Sequence, residues 1–118
     1  MARILIIDDD AQTRRTIRRV LEGARHEVVE ARNGEVAISL YREEPADLVI
    51  TDMIMPEVDG VATITILRQD YPDVKIIAIS GANPAYLQAA GKLGASRVLA
   101  KPFGKSELLK VVREVLEV

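Results

Sequence analysis

The 118-residue chain has no cysteine, no tryptophan, one phenylalanine and one histidine. Lack of cysteine excludes disulfide staples and thiolate metal centres and is compatible with a reducing cytosol. With aromatic residues at 3% and a formal net charge of −2, the chain offers neither a stacking platform nor a basic groove for nucleic acid. The longest apolar run, Ile4 to Ile7, is far too short to span a bilayer or to form the core of a signal peptide. Repeats, low-complexity tracts and linkers are also missing. These absences predict one domain over residues 1–118, able to bury a core without staples. They also predict a cytoplasmic location, with no direct binding to nucleic acid or membrane.

What the sequence does have is hydrophobic residues, 48% of the chain, gathered in short blocks that alternate between two periods. Arg3 to Ile7 reads as a first strand. Asp10 caps a helix carrying Ile17, Val20, Leu21 and Ala24, whose Arg14, Arg15, Arg18 and Arg19 are expected to form a solvated face. His26 receives no role. Glu27 to Ala31 is a second strand, followed by Asn33-Gly34, a helix with Val36, Ala37, Leu40 and Tyr41, and a stop at Pro45. Leu48, Val49 and Ile50, flanked by Asp47 and Thr51, form a third strand ending on Asp52. Asp59-Gly60 leads into a helix with Val61, Ala62, Ile64 and Leu67, which Tyr71-Pro72-Asp73 ends. Val74 to Ile79 is a fourth strand ending on Ser80-Gly81-Ala82, and Asn83-Pro84 opens a helix through Leu87, Ala90 and Leu93 that stops at Gly94. Arg97 to Ala100 is the fifth strand, ending on Lys101-Pro102-Phe103 before a last helix with Leu108, Leu109, Val112, Val115 and Leu116. Five strands alternating with five helices predict right-handed βαβ units and a doubly wound parallel sheet.

In such a sheet the carboxyl ends of all strands open on one edge, where α/β folds place their ligands. That edge would gather Asp8-Asp9, Asp52, Ser80 and Lys101. An Asp at a strand end is by itself only a good turn former. Three carboxylates in one place, however, repel one another unless protonated, solvated or bound to a cation, and Mg²⁺ suits a few carboxylates plus waters. A hydroxyl and an ammonium opposite them would face an anion. Together they describe phosphoryl transfer, with Asp52 as nucleophile and an aspartyl phosphate as product.

Over essentially its full length the chain resembles the receiver domain of two-component response regulators. The matching elements are Ile7-Asp8-Asp9, Asp52 followed by Met55-Pro56 and Asp59-Gly60, Ser80-Gly81-Ala82, and Lys101-Pro102-Phe103, in order. The resemblance implies a flavodoxin-like fold with strand order 2-1-3-4-5 and five helices. It further implies that Asp9, Asp52 and the backbone carbonyl of Ile54 hold Mg²⁺, with Asp8 near the metal. Asp52 would accept a phosphoryl group from a histidine kinase or histidine phosphotransfer protein, Lys101 would pair with the phosphoryl oxygens, and Ser80 would swing in to bond one of them. That movement would switch a surface read by an output protein or domain. Such a protein assists its own phosphorylation and dephosphorylation without being a dedicated enzyme.

Two positions depart from the family pattern. Val98 stands where the family usually carries the Tyr or Phe of the switch, and Arg97 stands where regulators that dimerise through this surface usually carry an acid. Ile54 and Ala82, which in the family overhang the phosphoryl group, can neither of them orient a hydrolytic water, which predicts a persistent phosphorylated state. Two other readings compete. A haloacid-dehalogenase-like phosphatase would use Asp8 and Asp10 after strand 1, but Gln12 stands where that family expects Thr or Val, and its later acidic pair is absent. A receiver fold serving only as a non-signalling interaction module typically loses an acid or the lysine, and this chain keeps them all.

Overall fold

The computed structural model describes residues 1–53, 60–81, 88, 91, 92 and 94–117. Its elements are β1 (Arg3–Ile7), α1 (Ala11–Gly23), β2 (Glu27–Ala31), α2 (Gly34–Glu43), β3 (Leu48–Asp52), α3 (Gly60–Asp70), β4 (Ile76–Ser80), β5 (Arg97–Ala100) and α4 (Lys105–Leu116). The strands form one sheet in the order β2-β1-β3-β4-β5, and every neighbouring pair is parallel. The described residues form four helices rather than the expected five. The helix expected from Asn83 to Leu93 falls almost wholly outside them, with only Gln88, Gly91 and Lys92 described, all helical. The fourth strand starts two residues later than expected and includes Ser80, because the Val74 N–H is held in a turn by the Tyr71 carbonyl at 3.0 Å. Among the described residues no helix is long and apolar enough to cross a membrane.

The apolar runs are continuous because both faces of the sheet are covered. Side chains of one strand alternate between the faces. Leu5, Ile7, Val49 and Ala78 pack with Ala37 and Tyr41 of α2 and Ile64 and Leu67 of α3. Ile4, Ile6, Ile50 and Ile77 pack on the other side with Ile17 and Leu21 of α1 and Leu108 and Val112 of α4. The registers Ile7 to Thr51, Asp52 to Ile79 and Ser80 to Ala100 bring the ends of β1, β3, β4 and β5 to one level. The four candidate strand ends therefore emerge at the same edge.

α1 closes on a left-handed residue that is not glycine. Arg25 has φ 70°, its N–H bonds the Glu22 carbonyl at 2.9 Å, and the His26 N–H bonds the Leu21 carbonyl at 3.1 Å. This is the paired closure in which glycine usually occupies the left-handed position. An L side chain there costs about 1–2 kcal/mol, and glycine gives back about half of that in unfolded-chain entropy. Arg25→Gly is therefore expected to stabilise the protein by up to about 1 kcal/mol. Urea unfolding checks this, and a loss of stability would show that the Arg25 side chain contributes more than its backbone strain costs.

Candidate functional site

Asp8 follows directly on β1 and continues its ladder, donating its N–H to the Ala31 carbonyl at 3.2 Å. Its side chain is buried, and Oδ1 accepts the Asp10 N–H at 2.9 Å. Asp52 is the last residue of β3 and also buried, whereas Asp9 is exposed. Carboxylate oxygens of Asp8, Asp9 and Asp52 all lie within 4.8 Å of one another. Three hard oxygen donors at that separation fit a small divalent cation of the Mg²⁺ type.

Lys101 reaches this cluster from the end of β5. Its N–H bonds the Ser80 carbonyl at 2.8 Å, which extends the β4–β5 ladder to the site, and the Lys101–Pro102 peptide is cis. The ammonium Nζ lies 3.2 Å from Asp52 Oδ2 and 3.9 Å from Asp8 Oδ2. The acidic edge is thus partly neutralised by a cation from the next strand but one.

Burial pushes the Asp8 carboxyl up to about 6, and its neighbours Asp52 and Asp9 push the same way. The Asp10 N–H and the Lys101 ammonium pull it down without cancelling the burial effect. At neutral pH the acid set therefore carries a strained charge that a cation would relieve. Asp10 takes no part in the cluster. Its carboxylate caps α1, accepting the Gln12 N–H at 3.1 Å and the Thr13 hydroxyl at 2.6 Å. The Asp8/Asp10 pair required by the phosphatase reading is therefore split between the site and the helix cap.

Ser80 is wholly buried at the end of β4, and its Oγ has no hydrogen-bond partner among the described residues. A buried hydroxyl left unpaired costs about 1–3 kcal/mol. Val98, half-buried, packs against the same core as Ala78, its partner in the sheet. Arg97 is exposed and forms an ion pair with Glu114 of α4 at 3.0 Å. Ile54 with its carbonyl, Ala82 and Asn83 lie outside the described residues.

The expected solvated arginine face on α1 needs correction. Arg15 and Arg19 are exposed, but Arg14 and Arg18 turn toward β2 and share Glu30. Arg14 Nε donates to Glu30 Oε1 at 3.0 Å, and its Nη1 donates to the Asp8 carbonyl at 2.6 Å. Helical spacing alone could not separate these two arginines from the outer pair. The available signal was an acid, Glu30, near the end of the strand that α1 precedes.

Comparison with known proteins bears directly on this arrangement. The family model for the response regulator receiver domain matches residues 4–113. The transcriptional regulator ycf27 of Porphyridium aerugineum is 36% identical over 115 residues, covering 97% of this chain and 48% of the relative. The chain thus spans about half the length of that relative. The chemotaxis protein CheY of Thermotoga maritima is 35% identical over 115 residues, and the match covers 96% of each chain. A solved response-regulator structure from Chloroflexus aurantiacus superposes with a TM-score of 0.96 at 30% identity, covering 99% of this chain and 98% of that one. The shared sheet order, the acidic edge with its lysine and the near-complete sequence match lead to one conclusion: the chain belongs to the response regulator receiver domain family.

Proposed function

We propose that this receiver domain accepts a phosphoryl group on Asp52 from a phosphohistidine of a partner kinase or phosphotransfer protein on the cytoplasmic side. The observation that carries the proposal is the Lys101 ammonium 3.2 Å from Asp52 Oδ2, at the edge where three carboxylates converge. Asp9 and Asp52 would hold Mg²⁺, with Asp8 beside them and the Ile54 carbonyl as a further ligand. The ion would supply positive charge against the phosphoryl oxygens. An Asp52 oxygen attacks phosphorus, forming the O–P bond as the P–N bond to the donor imidazole breaks, and the electron pair returns to the imidazole nitrogen. Lys101 then pairs with a phosphoryl oxygen, and the buried Ser80 hydroxyl gains an acceptor that it lacks among the described residues. Those new bonds bias the surface around β5 that an output partner reads, with Val98 in place of the usual aromatic residue. A groove of about 380 Å³ opens beside Lys101 between Asp10, Thr13 and Ile17 on one side and Pro102 and Phe103 on the other. The domain assists its own chemistry and works as a signalling module.

The expected result is a single phosphorylated residue, Asp52, with labelling that requires Mg²⁺. Incubation with a small phosphoramidate donor followed by mass spectrometry locates the modification. Label on Asp8, or undiminished label in Asp52→Asn, would sink this reading.

A further inference from the structure

We propose that Arg14 is a positioning residue for the acidic edge, acting through the peptide that joins Asp8 to Asp9. The proposal rests on the reading of Asp9 and Asp52 as cation ligands.

Asp8 is fixed at three points. Its N–H bonds the Ala31 carbonyl at 3.2 Å, its Oδ1 accepts the Asp10 N–H at 2.9 Å, and its carbonyl accepts from Arg14 Nη1 at 2.6 Å. The third bond differs in kind, because it comes from a side chain on the second turn of the following helix. A peptide unit is planar, so fixing the Asp8 carbonyl also fixes the direction in which the chain enters Asp9. Asp9 needs such a constraint: it is exposed, and its carboxylate has no hydrogen-bond donor among the described residues. Arg14 itself is braced. Glu30 of β2 takes its Nε at 3.0 Å, and Arg18 holds the other Glu30 oxygen at 2.6 Å. The Arg14 side chain is 16% exposed and that of Glu30 is 24% exposed, so solvent screens this brace less than an ordinary surface pair. The brace runs from β2 through α1 to the end of β1 and fixes the backbone that leads into Asp9, so less backbone freedom is lost when its carboxylate takes a cation.

Electrostatics alone predicts the opposite sign. Removing a cation from the neighbourhood of three carboxylates should tighten binding of Mg²⁺. If Arg14 instead positions Asp9, its removal weakens binding. Calorimetric Mg²⁺ titrations of the folded protein decide between these, with Asp9→Asn as the reference for a lost ligand. Arg14→Met, which keeps length but no donor, is expected to weaken Mg²⁺ binding roughly tenfold. Glu30→Gln, which removes only the brace, should show a smaller loss in the same direction, and Arg14→Lys should recover part of it. Melting curves in chelator identify variants that fold poorly, and Glu30→Gln keeps the question answerable if Arg14→Met is among them. Unchanged or tighter Mg²⁺ binding in Arg14→Met, or in Glu30→Gln should that be the variant that folds, overturns the role of Arg14 alone. No Mg²⁺ binding by the native protein would overturn the metal reading and this inference with it.

Discussion

Gly94→Ala is expected to destabilise the protein by about 2–5 kcal/mol, from backbone strain and displaced hydrogen bonds together. Gly94 has φ +108°, a conformation that L residues rarely adopt. A Cβ built there would lie 2.9 Å from Arg68 Nε and 3.4 Å from its Cγ. Arg68 cannot move away without loss, because its guanidinium donates to the Pro72 carbonyl at 2.7 Å and to the Gly94 carbonyl at 2.5 Å. It thereby ties the turn before β4 to the turn before β5. Backbone strain of about 1–3 kcal/mol adds to weakening of the two Arg68 bonds by about 0.5–1 kcal/mol each. A double-mutant cycle separates the two contributions. In an Arg68→Ala background, Gly94→Ala should cost at least about 1 kcal/mol less, since only the backbone strain remains. An equal cost in both backgrounds would mean that Arg68 adjusts freely and the strain is all backbone.

The second large effect concerns Asp8. Its carboxyl sits at about 6 in the folded protein against 3.8 for an ordinary aspartate. Below about pH 4 both folded and unfolded chains hold the proton, and Asp8 makes no difference to stability. As pH rises from 4 to 6 the unfolded chain releases its proton first, so stability falls. Above about 6 both forms are ionised and the folded state bears the full penalty. A shift of roughly two units corresponds to about 3 kcal/mol. Asp8→Asn keeps an oxygen for the Asp10 N–H while removing the charge. In chelator at pH 8 it is expected to be about 1–3 kcal/mol more stable than the native protein, a gain that disappears by pH 4. Mg²⁺ should close the gap at pH 8 by stabilising the native chain more than the variant. Urea unfolding at the two pH values checks this. A gap that is the same at both would show that ionisation of Asp8 is not its source.

Much of the fold was legible because β1, β3 and β4 are buried on both faces and so appear as apolar runs such as Ile4 to Ile7. Neighbour order was not legible from periodicity, since an apolar strand carries no mark of which strand lies beside it; the family resemblance supplied it. The acids and Lys101 could be found because strand ends in a parallel sheet must share an edge. Ser80 could be placed at that edge, but that its hydroxyl lacks a partner among the described residues depends on packing around β4. Arg14 and Arg18 were hidden for a different reason: on a helix of alternating arginines, burial depends on where Glu30 projects from the neighbouring strand. Arg25 was hidden because nothing in its residue type marks a left-handed position, which glycine usually occupies.

The edge opposite the acids has its own consequence. Met1, Ala2 and Leu116 line one cavity of about 490 Å³ with Asp47, Asp73 and Lys75, and the Lys75 ammonium donates to the Leu116 carbonyl at 3.4 Å. The polypeptide thus enters and leaves at the same side, separated from Asp52 by the length of the strands, about 15 Å at 3.3 Å per residue. The two ends of the described chain and the acidic edge are thus served by opposite sides of one sheet. Any influence of the acidic edge on that side of the fold would have to cross the length of the sheet.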